Sequence, residues 1–362
     1  MDQRRSEKAG AQGVAMDTLF STTPVLGDGS RHPPLIVVGL PRSGSSFFSH
    51  ILSQIPDWYV FDDLYLHRRA LALGATGPLS DEQLDKLLHF LGWQIRARLK
   101  FGLYAIPNVA EPEVERMNAA LKAAFSGKGI SWAELQEEWM TRLGRRANCT
   151  RWGYKMPQAF VYMEELRRCY PGVKIIYLMR HPSDVLASFK HMTPDSQDGN
   201  PRQYHPLVYA YYWRAAMRSY RSNAGEALLE KFEDLVSNPL ESALRVADFI
   251  GATRPESVDT PQKANTSFSG KKIDRSLSGL ETWLLNRIAG EEMRAAGYEL
   301  RAKSVKLGDF VDFMRVSLVF ARYRLQLLLN GSDKIGVFRR MLRGRRGAGA
   351  SKKQALKPSS SD

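Results

Sequence analysis

Short apolar runs alternate along this chain with longer stretches in which apolar positions recur every three or four residues. Leu35–Val38 is an unbroken apolar run with β-branched side chains, Lys174–Arg180 is a strongly apolar run, and Trp58–Phe61 and Leu228–Phe232 read as further strands. Such runs predict strands buried on both faces of a parallel sheet. Trp152–Pro157 ends a further short extended segment. Between them lie helical patterns. Phe47, Phe48, Ile51 and Leu52 follow Ser43–Ser46, and Pro56 ends that helix. Ser80 caps a stripe of Leu84, Leu87, Leu88 and Leu91, and Ser131 with Glu134 forms a capping box before Leu135 and Trp139. Val185, Leu186 and Phe189 follow His181–Asp184. Further helices are predicted over 240–250, stopped by Gly251, over 281–296, and over 309–329.

Strands alternating with helices predict an α/β domain with a parallel sheet flanked by helices, and residues 64–150 form a helical insertion. Trp93, Phe101, Tyr104, Trp132 and Trp139 concentrate in that insertion. Each is expected to pack in the core; as a set they mark the insertion as the candidate lid for a second substrate. The chain divides into a disordered lead-in over 1–32, a main domain over 33–300, a helical extension over 301–332 and a basic disordered tail over 333–362. A loop rich in Ser, Thr, Lys and Gly is expected over 256–280.

Composition is that of a soluble globular protein, with no apolar leader and no stretch long enough to span a bilayer. Cys149 and Cys169 do not form a C-x-x-C pair, which points to a reducing, cytoplasmic setting rather than a disulfide framework. The net charge is +14, but residues 334–362 carry nine Lys or Arg against one Asp, leaving +6 for the rest. The body is therefore only mildly basic, as suits an anionic ligand. The tail holds one aromatic, Phe338, too few for stacking single-stranded nucleic acid, and no nucleic-acid partner is expected.

Chemistry concentrates first at Gly39-Leu40-Pro41-Arg42-Ser43-Gly44-Ser45-Ser46. A buried strand, a glycine turn and a helix N-terminus make an anion cradle from free N–H groups and the helix dipole. The spacing Gly39-x-x-x-x-Gly44 is that of a phosphate loop, but the usual lysine position is Ser45, which argues against γ-phosphoryl transfer. The nearest cation is Arg42. Two acids, Asp62 and Asp63, follow the second strand, where the ligands of open α/β sheets gather.

Pro41–Ser46 resembles the 5′-phosphosulfate loop of sulfotransferases that use 3′-phosphoadenosine 5′-phosphosulfate (PAPS). Arg180 at a strand end, with Ser188 eight residues on, resembles that family's 3′-phosphate motif. A guanidinium takes a phosphate bidentately and a hydroxyl one turn into a helix completes the cradle. Lys155-Met156-Pro157 is similar to the family segment whose lysine reaches the transferring sulfuryl. Phe232-Glu233-Asp234-Leu235 is similar to the segment that supports adenine, with Phe232 in place of the usual tyrosine. Lys271, Lys272 and Ser276, ahead of Trp283, are like the basic loop over the 3′-phosphate. The resemblance covers about residues 34–300.

What the resemblance implies is a sulfotransferase-like P-loop fold and transfer of a sulfuryl group from PAPS to the hydroxyl of a carbohydrate, lipid or other small molecule, with no metal. Its carboxylate-type members place a glutamate after the loop helix; an ungapped count from Pro41 puts Asp62 there, with Asp63 adjacent. The catalytic candidates are therefore Asp62, Lys155 and Arg42. The histidine of cytosolic members is absent, Met156 standing nearest, and His50 and His191 are secondary choices for the base. A P-loop phosphotransferase and a non-catalytic membrane-associated binding protein are the alternatives. For the helix over 309–329, packing on the core with a solvated tail is weighed against peripheral contact with an anionic membrane through helix and tail.

Overall fold

The computed structural model describes residues 22–24, 32–101, 106, 109–192, 201–260, 276–329 and 340. The lead-in, Tyr104, Lys271, Lys272 and the basic tail apart from Arg340 lie outside the described residues, save for those few positions of the lead-in. The chain forms two compact units. One comprises residues 1–157, 164–180 and 224–266; the other comprises 158–163, 181–223 and 267–362.

The first unit holds a five-stranded parallel sheet in the order β2-β3-β1-β4-β5: β1 Leu35–Gly39, β2 Trp58–Phe61, β3 Arg151–Lys155, β4 Lys174–Met179 and β5 Ala227–Lys231. All four residues Leu35–Val38 are fully buried, as the continuous apolar run requires of a central parallel strand. Leu35 and Val37 face a layer built from α1, Ser45–Leu52, and α10, Pro239–Ile250, where Phe48, Ile51, Val246 and Ala247 join them. On the alternate positions, Phe61 meets Trp139 edge-on at 5.5 Å.

The predicted local signals are present. Ser131 Oγ accepts from Glu134 N and Ser131 N donates to the Glu134 carboxylate, opening α5, Trp132–Arg146. Ser80 and Gln83 make the same exchange at the start of α3, Asp81–Phe101. Asn238 caps α10 and Gly251 closes it in the left-handed region. The insertion also contains α2, Leu66–Ala72, and α4, Glu111–Phe125, while α6, Met163–Cys169, precedes β4 and α9, Phe232–Ser237, follows β5.

Three expectations change. Phe232 does not end β5; it is the first residue of α9. Trp93 is 56% exposed, because it lies on the side of α3 opposite the buried leucine stripe, where it stacks on Phe90. Trp132 and Trp139 are buried as expected. The third change concerns the C-terminal helix.

The second unit is helical: α7 Pro182–Lys190, α8 Pro206–Ser222, α11 Gly279–Ala295 and α12 Leu307–Leu329. Ser278 and Glu281 box the start of α11, and the buried Glu281 carboxylate also takes Lys190 Nζ at 2.7 Å and Tyr204 Oη at 2.8 Å. Helix α12 contributes no buried residue. The expected core face is therefore corrected: a wide apolar stripe faces the core only when something covers it, and here much of it is bare.

Candidate active site

In the 2-3-1-4-5 order, the chain leaves β1 toward one side of the sheet and leaves β4 toward the other. The crevice at the carboxyl ends of β1 and β4 is the topological switch point, where open α/β sheets bind their ligands. Arg42 stands in the loop after β1 and Arg180 directly after β4. Arg180 Nη1 donates to the Arg42 carbonyl at 3.3 Å across that crevice.

Two glycines shape the loop for different reasons. A Cβ on Gly39 would lie 2.6 Å from the Leu178 carbonyl of the neighbouring strand. Gly44, at φ 83°, caps α1 in the left-handed region, and a Cβ there would lie 2.2 Å from the Phe232 ring. Arg42 also has positive φ, 75°, a strained conformation held by the turn. Ser43 is fully buried, and its Oγ has no hydrogen-bond partner among the described residues. A buried hydroxyl left unpaired costs about 1–3 kcal/mol, so its position inside an anion cradle fits a ligand oxygen. Ser45 is buried, Ser46 and Pro41 half-buried.

Phe232 lies beneath the loop. The Arg180 guanidinium sits 4.6 Å over its ring centroid, and Gly44 abuts its edge. Its ring thus supports both arginine and loop.

The strand ends on the other side of β1 bring in a charged cluster. Lys155, the last residue of β3 and 3% exposed, places Nζ 2.8 Å from Asp62 Oδ1, 2.5 Å from Asp63 Oδ1 and 3.2 Å from Ser46 Oγ. Lys155 therefore links the loop helix to the two carboxylates that follow β2. Arg98, near the end of α3, donates from Nη1 to Asp62 Oδ2 at 3.2 Å and from Nη2 to Asp63 Oδ2. Tyr65 Oη donates to Asp63 Oδ1 at 2.8 Å, and Gln94 Nε2 to the Asp63 carbonyl at 2.6 Å.

The two acids are not equivalent. Burial raises the Asp63 carboxyl, but Lys155 and Arg98 more than reverse this and hold it at about 2. Asp63 is the anchoring anion of the cluster, fixed by two cations, a phenol and a positive φ of 64°. Burial likewise disfavours the Lys155 ammonium, yet Asp62 and Asp63 outweigh it and keep the proton on more firmly than usual. Tyr65 is pushed well up, first by burial and then by Asp63. Asp62 lacks the phenol and takes its contacts from Lys155 and Arg98 alone among the bonds above.

The first unit therefore brings together Arg42, the loop serines, Asp62, Lys155, Arg180 and Phe232. Ser188 belongs to α7 of the second unit, where it is 7% exposed. Ser276, also in the second unit, accepts from Lys303 Nζ at 2.8 Å, and its carbonyl lies 3.4 Å from His191 Nε2. His50 is held low chiefly by burial.

Arg98, Gln94 and Tyr65 were not anticipated. A signal for the first two exists. On α3 the buried stripe runs Leu84, Leu87, Leu88, Leu91 and Ile95, and Gln94 and Arg98 continue it. Polar residues on a core-facing stripe need partners, and these two find them at the strand ends.

The profile of the Sulfotransferase family matches residues 33–256, well over half the chain and all of the elements just described in the first unit. The chain belongs to the sulfotransferase family. A sulfuryl donor and a hydroxyl-bearing acceptor follow from that membership. Solved structures similar to this sulfotransferase include the sulfotransferase domain from the curacin biosynthetic pathway, at 16% identity and a TM-score of 0.44, covering 75% of this chain and 100% of that one. Another is the sulfotransferase domain from the Synechococcus PCC 7002 olefin synthase, at 19% identity and 0.41, covering 80% and 94%. A third is a sulfotransferase from Mycobacterium avium, at 15% identity and 0.40, covering 80% and 86%. The family assignment rests on the profile alone. No curated protein matches the chain.

Proposed function

We propose that this sulfotransferase uses PAPS as donor and passes the sulfuryl group to an acceptor hydroxyl deprotonated by Asp62. The observation that carries the reading is Lys155. Its ammonium touches Ser46 of the anion loop on one side and Asp62 on the other, so one cation joins the donor cradle to a carboxylate.

In this reading Pro41–Ser46 hold the 5′-phosphosulfate through backbone N–H groups, Arg42 and the serine hydroxyls, the unpaired Ser43 Oγ included. Arg180 and Ser188 take the 3′-phosphate. Phe232, already beneath Arg180, presents its remaining surface to the adenine. Lys271, Lys272 and Ser276 are further donor-binding candidates on their likeness to the family's basic loop. The donor supplies an electrophilic sulfur and a phosphate leaving group. Lys155 and Arg42 offset the negative charge that builds on that leaving oxygen.

Asp62 rather than Asp63 is the base, because Asp63 is committed to Lys155, Arg98 and Tyr65 and sits too low to compete for a proton. When Lys155 turns to the donor, Asp62 is released on that side to face the acceptor hydroxyl. The insertion α2–α5 builds the acceptor side, and a reducing, cytoplasmic setting suits the two unbridged cysteines.

The test is transfer of labelled sulfate from PAPS to acceptors in a lysate. Wild type should label a discrete product. Lys155→Met should lose labelling by two or more orders of magnitude while remaining folded. Equal labelling by both proteins would contradict the assignment.

A further inference from the structure

Helix α12 rests on its own unit through one side only. The His205 ring lies 5.6 Å from Phe313 and 5.0 Å from Phe320, and its Nε2 is 3.2 Å from Ser317 Oγ. A different row of the same helix runs Leu307, Val311, Met314, Leu318, Leu325 and Leu328. These are spaced three, four or seven residues apart, so they share one face. Every one is at least half exposed, from 51% at Leu328 to 84% at Leu307. Over 23 residues, a helix of about 35 Å carries this uncovered apolar strip.

Charge says what covers it. Arg315 and Arg322 are exposed and flank the strip on one side, two turns apart. The acids of the helix are Asp309 and Asp312. Asp309 is engaged, accepting from Leu280 N and Lys306 N. From Phe313 to Ser361 the sequence carries twelve Lys or Arg and one acid, Asp333. An apolar strip edged by cations, continuing into a long basic segment, complements a surface that is apolar beneath and anionic above.

We propose that α12 docks this protein on an anionic lipid bilayer, the leucine row entering the interface and Arg315 and Arg322 lying against the lipid phosphates. A second copy of the chain answers these observations less well. The three-and-four spacing would suit a coiled coil. However, pairing two copies of this strip sets Arg315 and Arg322 near their own counterparts, with Asp312 the one exposed acid on that side to answer them. Among the described residues no helix is long and apolar enough to cross a membrane, so the contact is interfacial. The proposal is independent of the donor site.

The experiment is sedimentation of the full chain with phosphatidylcholine vesicles, with and without phosphatidylglycerol, at low and high salt. The protein should pellet with the anionic vesicles at low salt and less at high salt, and stay in the supernatant with phosphatidylcholine alone. Leu318→Glu with Leu325→Glu should abolish pelleting. Arg315→Gln with Arg322→Gln should weaken it about 30-fold, at about a factor of five per charge. All four positions are exposed, and unchanged melting temperatures confirm intact folds. Should the leucine pair fail to fold, the arginine pair still decides. A full-length protein that stays in the supernatant at low salt overturns the proposal. So does pelleting unaffected by either pair. A concentration-dependent dimer without vesicle binding, abolished by the leucine pair, assigns the strip to a second copy instead.

Discussion

Lys155 Nζ lies 2.8 Å from Asp62 Oδ1, joining the carboxyl ends of two adjacent parallel strands. The pairing follows from the sheet register: Phe61 sits beside Tyr154, so the residues that follow them emerge together at the same edge of the crevice. In the proposed reading, the donor's cation and the acceptor's base are thereby delivered by neighbouring backbones.

Asp62→Asn should therefore lower kcat by about two to four orders of magnitude, as removal of a general base does, with nucleotide affinity changed little. Steady-state kinetics alongside bisphosphate titration checks the split. Unchanged kcat would remove Asp62 from the role.

Arg98 holds both carboxylates without touching the loop. Arg98→Met should leave donor affinity close to wild type, lower kcat, and shift the loss of activity on the acidic side to higher pH, because Asp63 loses one of the two cations that hold its carboxyl low. A pH profile superimposable on wild type would mean that Arg98 only fills space.

Asp63 gives a stability prediction with a definite sign. Its carboxyl is held at about 2 against an ordinary 3.8, so its contribution is fully present above the ordinary value and is lost as pH falls toward 2. Asp63→Asn should destabilise the protein near neutrality by about 3 kcal/mol, since Lys155 and Arg98 are left with less compensation. Its stability should also fall less steeply than wild type between those two pH values. Denaturant titrations across the acid range measure both.

Gly44→Ala should be costly for two separable reasons. The φ of 83° strains any L side chain by about 1–3 kcal/mol, and the new methyl meets the Phe232 ring. Adding Phe232→Ala should recover part of the loss in melting temperature, the steric part, and leave the backbone part. Strict additivity of the two changes would mean that ring and loop do not touch.

What the sequence revealed was local. The β1 run, the Gly39–Ser46 turn, the boxes at Ser80–Gln83 and Ser131–Glu134 and the Gly251 stop are each encoded within a few residues. Arg98 was hidden because its partners lie 35 and 36 residues away, although its place on the leucine stripe of α3 marked it as a polar residue facing inward. Phe232 was visible as a candidate support for adenine, but its contact with Gly44 joins residues far apart in the chain and has no sequence signature. For α12 the apolar period is present, but much of the face it defines is uncovered. A period says which residues share a face, and only the tertiary structure says whether that face is covered.

The measurement closest to the central claim is a thermal-shift comparison of adenosine 3′,5′-bisphosphate with AMP. A ligand that binds only the folded chain stabilises it according to its affinity, and in the proposed reading Arg180 is the nucleotide's 3′-phosphate partner. The bisphosphate should raise the melting temperature well above the AMP value, and Arg180→Ala should erase the difference while leaving the AMP response in place. Equal shifts from the two nucleotides in the wild-type protein would contradict PAPS as the donor.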